Sequence, residues 1–248
     1  MHILVISCCL IAGVLFLAIP FATSAESPDG PPQKETSYTV YLTFDDGPSP
    51  VTEQVLDILQ EYDVPATFFV LGETSDDSLS LYRRMAAEGH SIGIHSYTHS
   101  LSVYQNFDNF TSDFEKLEEL VLDTVGSLSY LYRMPGGSNS ANCPEWLRNE
   151  IKAYVKERGY VLYNWDIDPK DSREYTLGAE ELARNVTSAA EKKTDCDLII
   201  LMHDDALRTT LPDALPDIIE YFQKKGYNFA ALQQSTDLRT NSPWVKVE

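Results

Sequence analysis

The chain has 248 residues, with 38 Asp and Glu against 19 Lys and Arg, a formal net charge of -19. That balance argues against a nucleic-acid partner, because gripping a phosphate backbone takes clustered cations that release counterions; the acidic surplus serves solubility. With an apolar start and a short end set aside, roughly 200 residues remain, a length one α/β barrel commonly fills, so a second full domain is not expected.

Residues 1–25 read as a leader. Ile3 to Phe21 is almost entirely apolar, and the small residues of Thr23-Ser24-Ala25 suit signal-peptidase cleavage before Glu26. Only Met1 and His2 precede the apolar run, which approaches the length that spans a bilayer, so an uncleaved membrane anchor is the other reading. Either way the protein is expected outside the cytoplasm, secreted or tethered to the outer face of the membrane. Cys8 and Cys9 lie in this leader, leaving Cys143 and Cys196, which can form one disulfide in an oxidising compartment. Residues 26–37, ESPDGPPQKETS, lack apolar periodicity and form a linker.

From residue 38 to 236 apolar runs alternate with amphipathic stretches. YTVYLTF precedes VTEQVLDILQEYD, ATFFVLG precedes SLSLYRRMAAEG, and HSIGIHS precedes a helical pattern from about Asp113 to Val125. LSYLYRMPGG, a helix near Glu145 to Arg158, YVLYNWDID, a helix near Ala179 to Lys192, DLIILMH, a helix near Leu215 to Lys225 and NFAAL follow. This order implies a mainly parallel sheet with crossover helices outside it, closing as a β/α barrel of about seven or eight strands in a single domain. Residues 237–248 read as a C-terminal tail.

The polar residues fall at strand ends: Asp45 and Asp46, His95, Arg133, Asp168 and His203. In parallel barrels the C-terminal strand ends carry the active site. Two adjacent carboxylates closing an apolar strand either start a turn, as Asp-Gly-Pro often does, or meet a cation. HSYTH sets His95 and His99 four apart, and within one helical turn both imidazoles reach one ion, with Asp46 as third ligand. Two histidines and a carboxylate leave a position for water, as catalytic sites do. One divalent ion is therefore expected, zinc first, with manganese, cobalt, nickel or iron also compatible with these donors.

Five ordered motifs resemble those of the polysaccharide deacetylases, NodB-like carbohydrate esterases: TFDDGP at 43–48, HSYTH at 95–99, RMPGG at 133–137, DPKDS at 168–172 and LMH at 201–203. The resemblance spans residues 38–236 and implies a distorted β/α barrel that hydrolyses N- or O-acetyl groups on a glycan. It implies Asp45 as general base and Asp46, His95 and His99 as metal ligands. Arg133 would steady Asp45, Asp168 would orient and tune His203, and His203 would be the general acid. A backbone N–H at Gly136 would stabilise the tetrahedral oxyanion. Leu201 and Trp165 are candidates to line a pocket for the acetyl methyl or a sugar face, Trp165 being equally suited to the core. Ser172 stands where the fourth motif usually has Trp, and Gly136 where the third often has an aromatic, changes that open the groove.

The leader favours peptidoglycan as the acetylated glycan, and a monomer is expected. The alternatives are a deacetylase of chitin oligomers or a biofilm glycan, an O-acetyl xylan esterase, and a catalytically silent carbohydrate-binding protein. Asp45 and His203 speak against the last, since a binder needs neither base nor acid.

Overall fold

The computed structural model describes residues 38–172, 177–239 and 246–247. By its contacts the chain divides into Met1–Thr36 and Ser37–Glu248, and every described residue lies in the second unit. The leader and linker expected at 1–37 fall outside the described residues, among which no helix is long and apolar enough to cross a membrane.

The strands are β1 (Thr39–Asp45), β2 (Thr67–Val70), β3 (Ser91–Ile94), β4 (Leu131–Tyr132), β5 (Val161–Tyr163), β6 (Leu198–His203), β7 (Asn228–Phe229) and β8 (Lys246–Val247). They form one sheet in the order β6-β1-β2-β3-β4-β5-β8, with β7 on β1. All pairings are parallel except that of β8 with β5. The sheet curls, and the chain just past β5 closes it onto β6. Ile167 bridges Ile200, the Asp166 N–H donates to the Ile199 carbonyl at 2.8 Å, and the Leu201 N–H donates to the Ile167 carbonyl at 2.9 Å. This is the barrel the alternation implies, distorted as the family resemblance implies.

Six α-helices are described: α1 (Pro50–Tyr62), α2 (Asp76–Ala87), α3 (Phe107–Val125), α4 (Glu145–Glu157), α5 (Ala179–Ala190) and α6 (Leu211–Lys224). Local chemistry fixes their starts. At α1, the Ser49 hydroxyl accepts the Val51 N–H at 3.0 Å, Thr52 Oγ1 accepts the Ser49 N–H at 2.8 Å, and Pro50 supplies a preset φ at the first position. At α3, Asn106 caps the Asn109 N–H at 2.8 Å, and Gly126 ends the helix in a left-handed conformation. That cap starts α3 six residues before the expected Asp113, bringing Phe107 and Phe110 into an aromatic cluster with Phe114 and Tyr154.

Alternation along β1 divides the core in two. Val40, Leu42 and Phe44 point outward into the large layer between sheet and helices. Tyr41 points inward, joining Phe69, Leu131, Tyr163, Ile199 and Leu232 as the apolar filling of the barrel. Thr43 and Asp45 continue that inner face, so the barrel is greasy at its base and polar towards the C-terminal strand ends.

The stretch read as a tail returns to the domain. β8 pairs with β5, and the Arg239 N–H donates to Asp197 Oδ2 at 2.8 Å. Cys143 and Cys196 are both buried and are not bonded to one another.

Candidate active site

A cleft of about 520 Å³ opens at the C-terminal strand ends and is lined by Asp45, Asp46, His95, His99, Gly136, Trp165, Asp168, Ser172, Leu201 and His203. Of the residues singled out in the sequence, only Arg133 does not line it. It lies fully buried beneath, inside the barrel.

Asp45 is the last residue of β1 and is 2 % exposed. Its Oδ1 receives a hydrogen bond from the Arg133 guanidinium at 2.8 Å. Arg133 also donates to Thr43 Oγ1 and to the carbonyls of Tyr163 and Asn164, and its cation lies 4.1 Å from the Phe69 ring centre. A buried cation so fully engaged has one orientation, which fixes the Asp45 carboxylate in turn. Burial pushes the Asp45 carboxyl above its ordinary range, opposed by the charges of Arg133 and His203. A carboxylate of raised basicity suits proton abstraction from water.

Strand alternation would send Asp46 to the opposite face from Asp45. The structure does otherwise: Asp46 takes a left-handed φ of 77°, rare for a residue with a Cβ, and this re-aims its side chain into the same cleft. The turn is clamped from β6. The Asp204 N–H donates to the Asp45 carbonyl at 3.0 Å, Thr52 Oγ1 donates to Asp204 Oδ2 at 2.5 Å, and the Ser49 hydroxyl donates to the Asp204 carbonyl at 2.6 Å. A Cβ on Gly47 would run into the Asp204 carboxylate, which is why glycine follows the pair. Asp204 directly follows the LMH motif and carries no signal of its own in the sequence.

His95 and His99 come together without the expected helical turn. Residues 97 and 98 bend, and His99 adopts a left-handed φ of 50°. The Nε2 atoms of both histidines lie 3.5 Å from Asp46 Oδ1, and the three ligand atoms all lie within 4.8 Å of one another. Asp46 Oδ1 is buried with no hydrogen-bond partner among the described residues, a costly state that a cation relieves. His95 Nδ1 is 2.7 Å from the Arg133 carbonyl, which can only accept, so Nδ1 carries the proton and the Nε2 lone pair faces Asp46. Burial drops the His95 imidazolium to about 3, with the Asp46 charge opposing, so the ring is neutral as a ligand must be. The donor set therefore fits a divalent ion.

On the other wall, His203 sits directly opposite Asp45 in the β1–β6 register. Its partner is Asp171, not the expected Asp168. Asp171 Oδ1 lies 2.9 Å from His203 Nδ1, and Oδ2 accepts the His203 N–H at 2.8 Å. Asp168 instead turns back on Lys170, accepting its N–H at 2.8 Å and pairing with its ammonium at 2.5 Å. The reason is local: Lys170 has a left-handed φ of 71°, and that kink carries the second carboxylate of DPKDS to the imidazole. Burial alone would depress His203, but the Asp171 hydrogen bond and charge, reinforced by Asp45 and Asp46, override it and lift the imidazole to about 9. A histidine protonated at neutral pH, held through Nδ1 with Nε2 left over, can donate a proton.

RMPGG makes the third edge. The Gly137 N–H donates to the Met134 carbonyl at 2.7 Å and Gly136 has a φ of 74°, the pattern of a type II turn with Pro135 at its first corner. No acceptor for the Gly136 N–H is found among the described residues. Leu201 is 4 % exposed. Trp165 is half-buried and serves twice, lining the cleft and packing on the inner core.

A cleft joining a metal-type triad to a buried carboxylate and a cationic imidazole, on a curled parallel sheet, defines a hydrolase site. Known proteins narrow the class. Residues 33–154 match the polysaccharide deacetylase family model. A peptidoglycan-N-acetylglucosamine deacetylase of Bacillus cereus is 33% identical over 205 residues, spanning 81% of this chain and 71% of that protein. Among solved structures, the catalytic domain of a peptidoglycan N-acetylglucosamine deacetylase from Eubacterium rectale superposes with a TM-score of 0.76 at 28% identity, covering 84% of this chain and 94% of that one. A polysaccharide deacetylase from Bacillus cereus gives a TM-score of 0.70 at 32% identity, over 81% of this chain and 94% of that one. The chain belongs to the polysaccharide deacetylase family and is a carbohydrate-directed hydrolase.

Proposed function

We propose that the protein is an exported, metal-dependent deacetylase that hydrolyses the N-acetyl group of N-acetylglucosamine in peptidoglycan, releasing acetate and acting as a monomer. One observation carries this reading: Asp46, His95 and His99 converge their ligand atoms on a cleft that Asp45 and His203 also enter. The similarity to peptidoglycan deacetylases supports the substrate, and the leader-like residues 1–25 support export, secreted or tethered outside the cell membrane.

Asp46, His95 and His99 would hold the ion, zinc by preference for this donor set. A divalent ion held there would lower the pKa of water and would polarise the acetyl carbonyl. Asp45, its carboxylate steadied by Arg133, takes the proton of the attacking water. The Gly136 N–H stabilises the negative oxygen of the tetrahedral adduct. An amine leaves poorly without a proton, and His203, kept cationic by Asp171, supplies it from the other wall. Leu201 and Trp165 receive the methyl and a sugar face, while Gly136 and Ser172 leave the groove wide.

Acetate release from purified peptidoglycan, with chelator and metal add-back, tests the reading. Release that the chelator abolishes and zinc restores is expected; release confined to acetylated xylan, or to chitin oligomers, would replace the substrate. Glycan binding without acetate release under any divalent metal would favour a silent binder.

A further inference from the structure

We infer that Asp113, a residue of α3 outside the five motifs, is a positioning residue that sets the geometry of the metal-ligating histidines; the inference rests on the metal reading proposed above. Asp113 is 8 % exposed, and its carboxylate takes four hydrogen bonds from the three residues between His95 and His99. Oδ2 accepts the Ser96 hydroxyl and the Tyr97 N–H, each at 2.7 Å. Oδ1 accepts the Thr98 N–H at 2.9 Å and the Thr98 hydroxyl at 2.6 Å.

Two of these donors are backbone N–H groups in a bend, where neither helix nor sheet offers them a carbonyl, so the carboxylate replaces secondary structure. The Ser96 hydroxyl relays the effect: it donates to Asp113 and accepts the His99 N–H at 2.9 Å. His99 needs that restraint, since its left-handed φ of 50° is a conformation a histidine rarely holds unaided. Bonds to an ionised acceptor are the strong kind, and all four converge on one rigid helix. Asp113 thus acts on the ion site through Ser96 and the 97–98 bend, without touching it.

The test measures zinc dissociation constants of the full chain by competition with a chromophoric chelator, alongside thermal unfolding of the metal-free proteins. Asp113→Asn keeps the shape but turns an N–H₂ towards donors, and is expected to weaken zinc binding about 10- to 100-fold, the usual loss when an outer partner of a ligand is removed. Ser96→Ala is expected to weaken it less, and the double variant to fall short of the product of the single effects, because both lie on one relay. Leu117→Ala, one turn further along α3 with its side chain in the core, is expected to lower the melting temperature yet leave zinc affinity alone.

Zinc affinity in Asp113→Asn within twofold of wild type, single effects that multiply, or an equal loss in Leu117→Ala would each overturn the inference. If Asp113→Asn does not fold, an unchanged affinity in Ser96→Ala overturns it equally. Wild-type protein that takes up no zinc would remove the metal reading itself, and this one with it; tight wild-type binding matched by Asp113→Asn would remove only the role of Asp113.

Discussion

Asp171 grips His203 at two points, one oxygen on the ring Nδ1 at 2.9 Å and the other on the backbone N–H at 2.8 Å. The imidazole is thereby raised to about 9. Activity that depends on its proton should fall as pH climbs through about 9. Asp171→Asn should cut turnover about 10²-fold or more and bring that falling limb to lower pH, whereas Asp168→Asn leaves the limb in place. A pH–rate profile of acetate release from each variant decides it. Stability follows the same sign: a folded pKa above the unfolded value near 6.5 contributes stability that is complete below about 6.5 and lost as pH rises through about 9.

Asp45 and the ion ligands separate cleanly by assay. Asp45→Asn should bind zinc as wild type does while losing turnover by about 10²-fold or more, and His95→Ala should lose both. Metal analysis beside acetate release checks this, and equal metal loss in the two variants would contradict the division of labour.

Arg133→Met should destabilise the fold by about 3–5 kcal/mol, since it strands the Asp45 carboxylate inside the barrel without its cation. Urea unfolding of the metal-free protein measures the loss. A change under about 1 kcal/mol would mean that the Asp45–Arg133 pair is not buried in solution as it is in the structure.

Asp204 makes the opposite kind of demand. Burial lifts its carboxyl to about 7, the Thr52 hydrogen bond opposing and the charges of Asp46 and Asp45 adding. Between about pH 4 and 7 the folded chain then holds a proton the unfolded chain has released, so stability declines across that window as pH rises. Asp204→Asn, which has no such proton, should gain on wild type as pH rises from about 4 to 7 in metal-free urea titrations. Parallel curves would exclude the effect.

The period-2 and period-3.6 patterns make the alternating strands and helices legible because burial writes itself directly into sequence. Site chemistry is legible where a residue's type declares its role, as with two histidines beside an acid or a lone arginine near a carboxylate. Backbone kinks are not. Asp46, His99 and Lys170 all take left-handed conformations, which no side-chain pattern announces, and each redirects a functional group. For that reason alternation misplaces Asp46, a helical turn misdescribes HSYTH, and the motif pattern pairs His203 with the first rather than the second aspartate of DPKDS. The early start of α3 is written in Asn106, a capping residue ahead of an aromatic run. Lys246–Val247 carries too few residues for any periodicity, so its return to the sheet leaves no trace.

Asp45 and His203 share one rung of the β1–β6 ladder, so the backbones that carry the proton acceptor and the proton donor stand one strand spacing apart, about 4.8 Å. Hydrogen bonds of the sheet hold that span before any sugar arrives. The spacing of acid and base is thus a property of the sheet itself, set when the strands pair and not when a ligand binds.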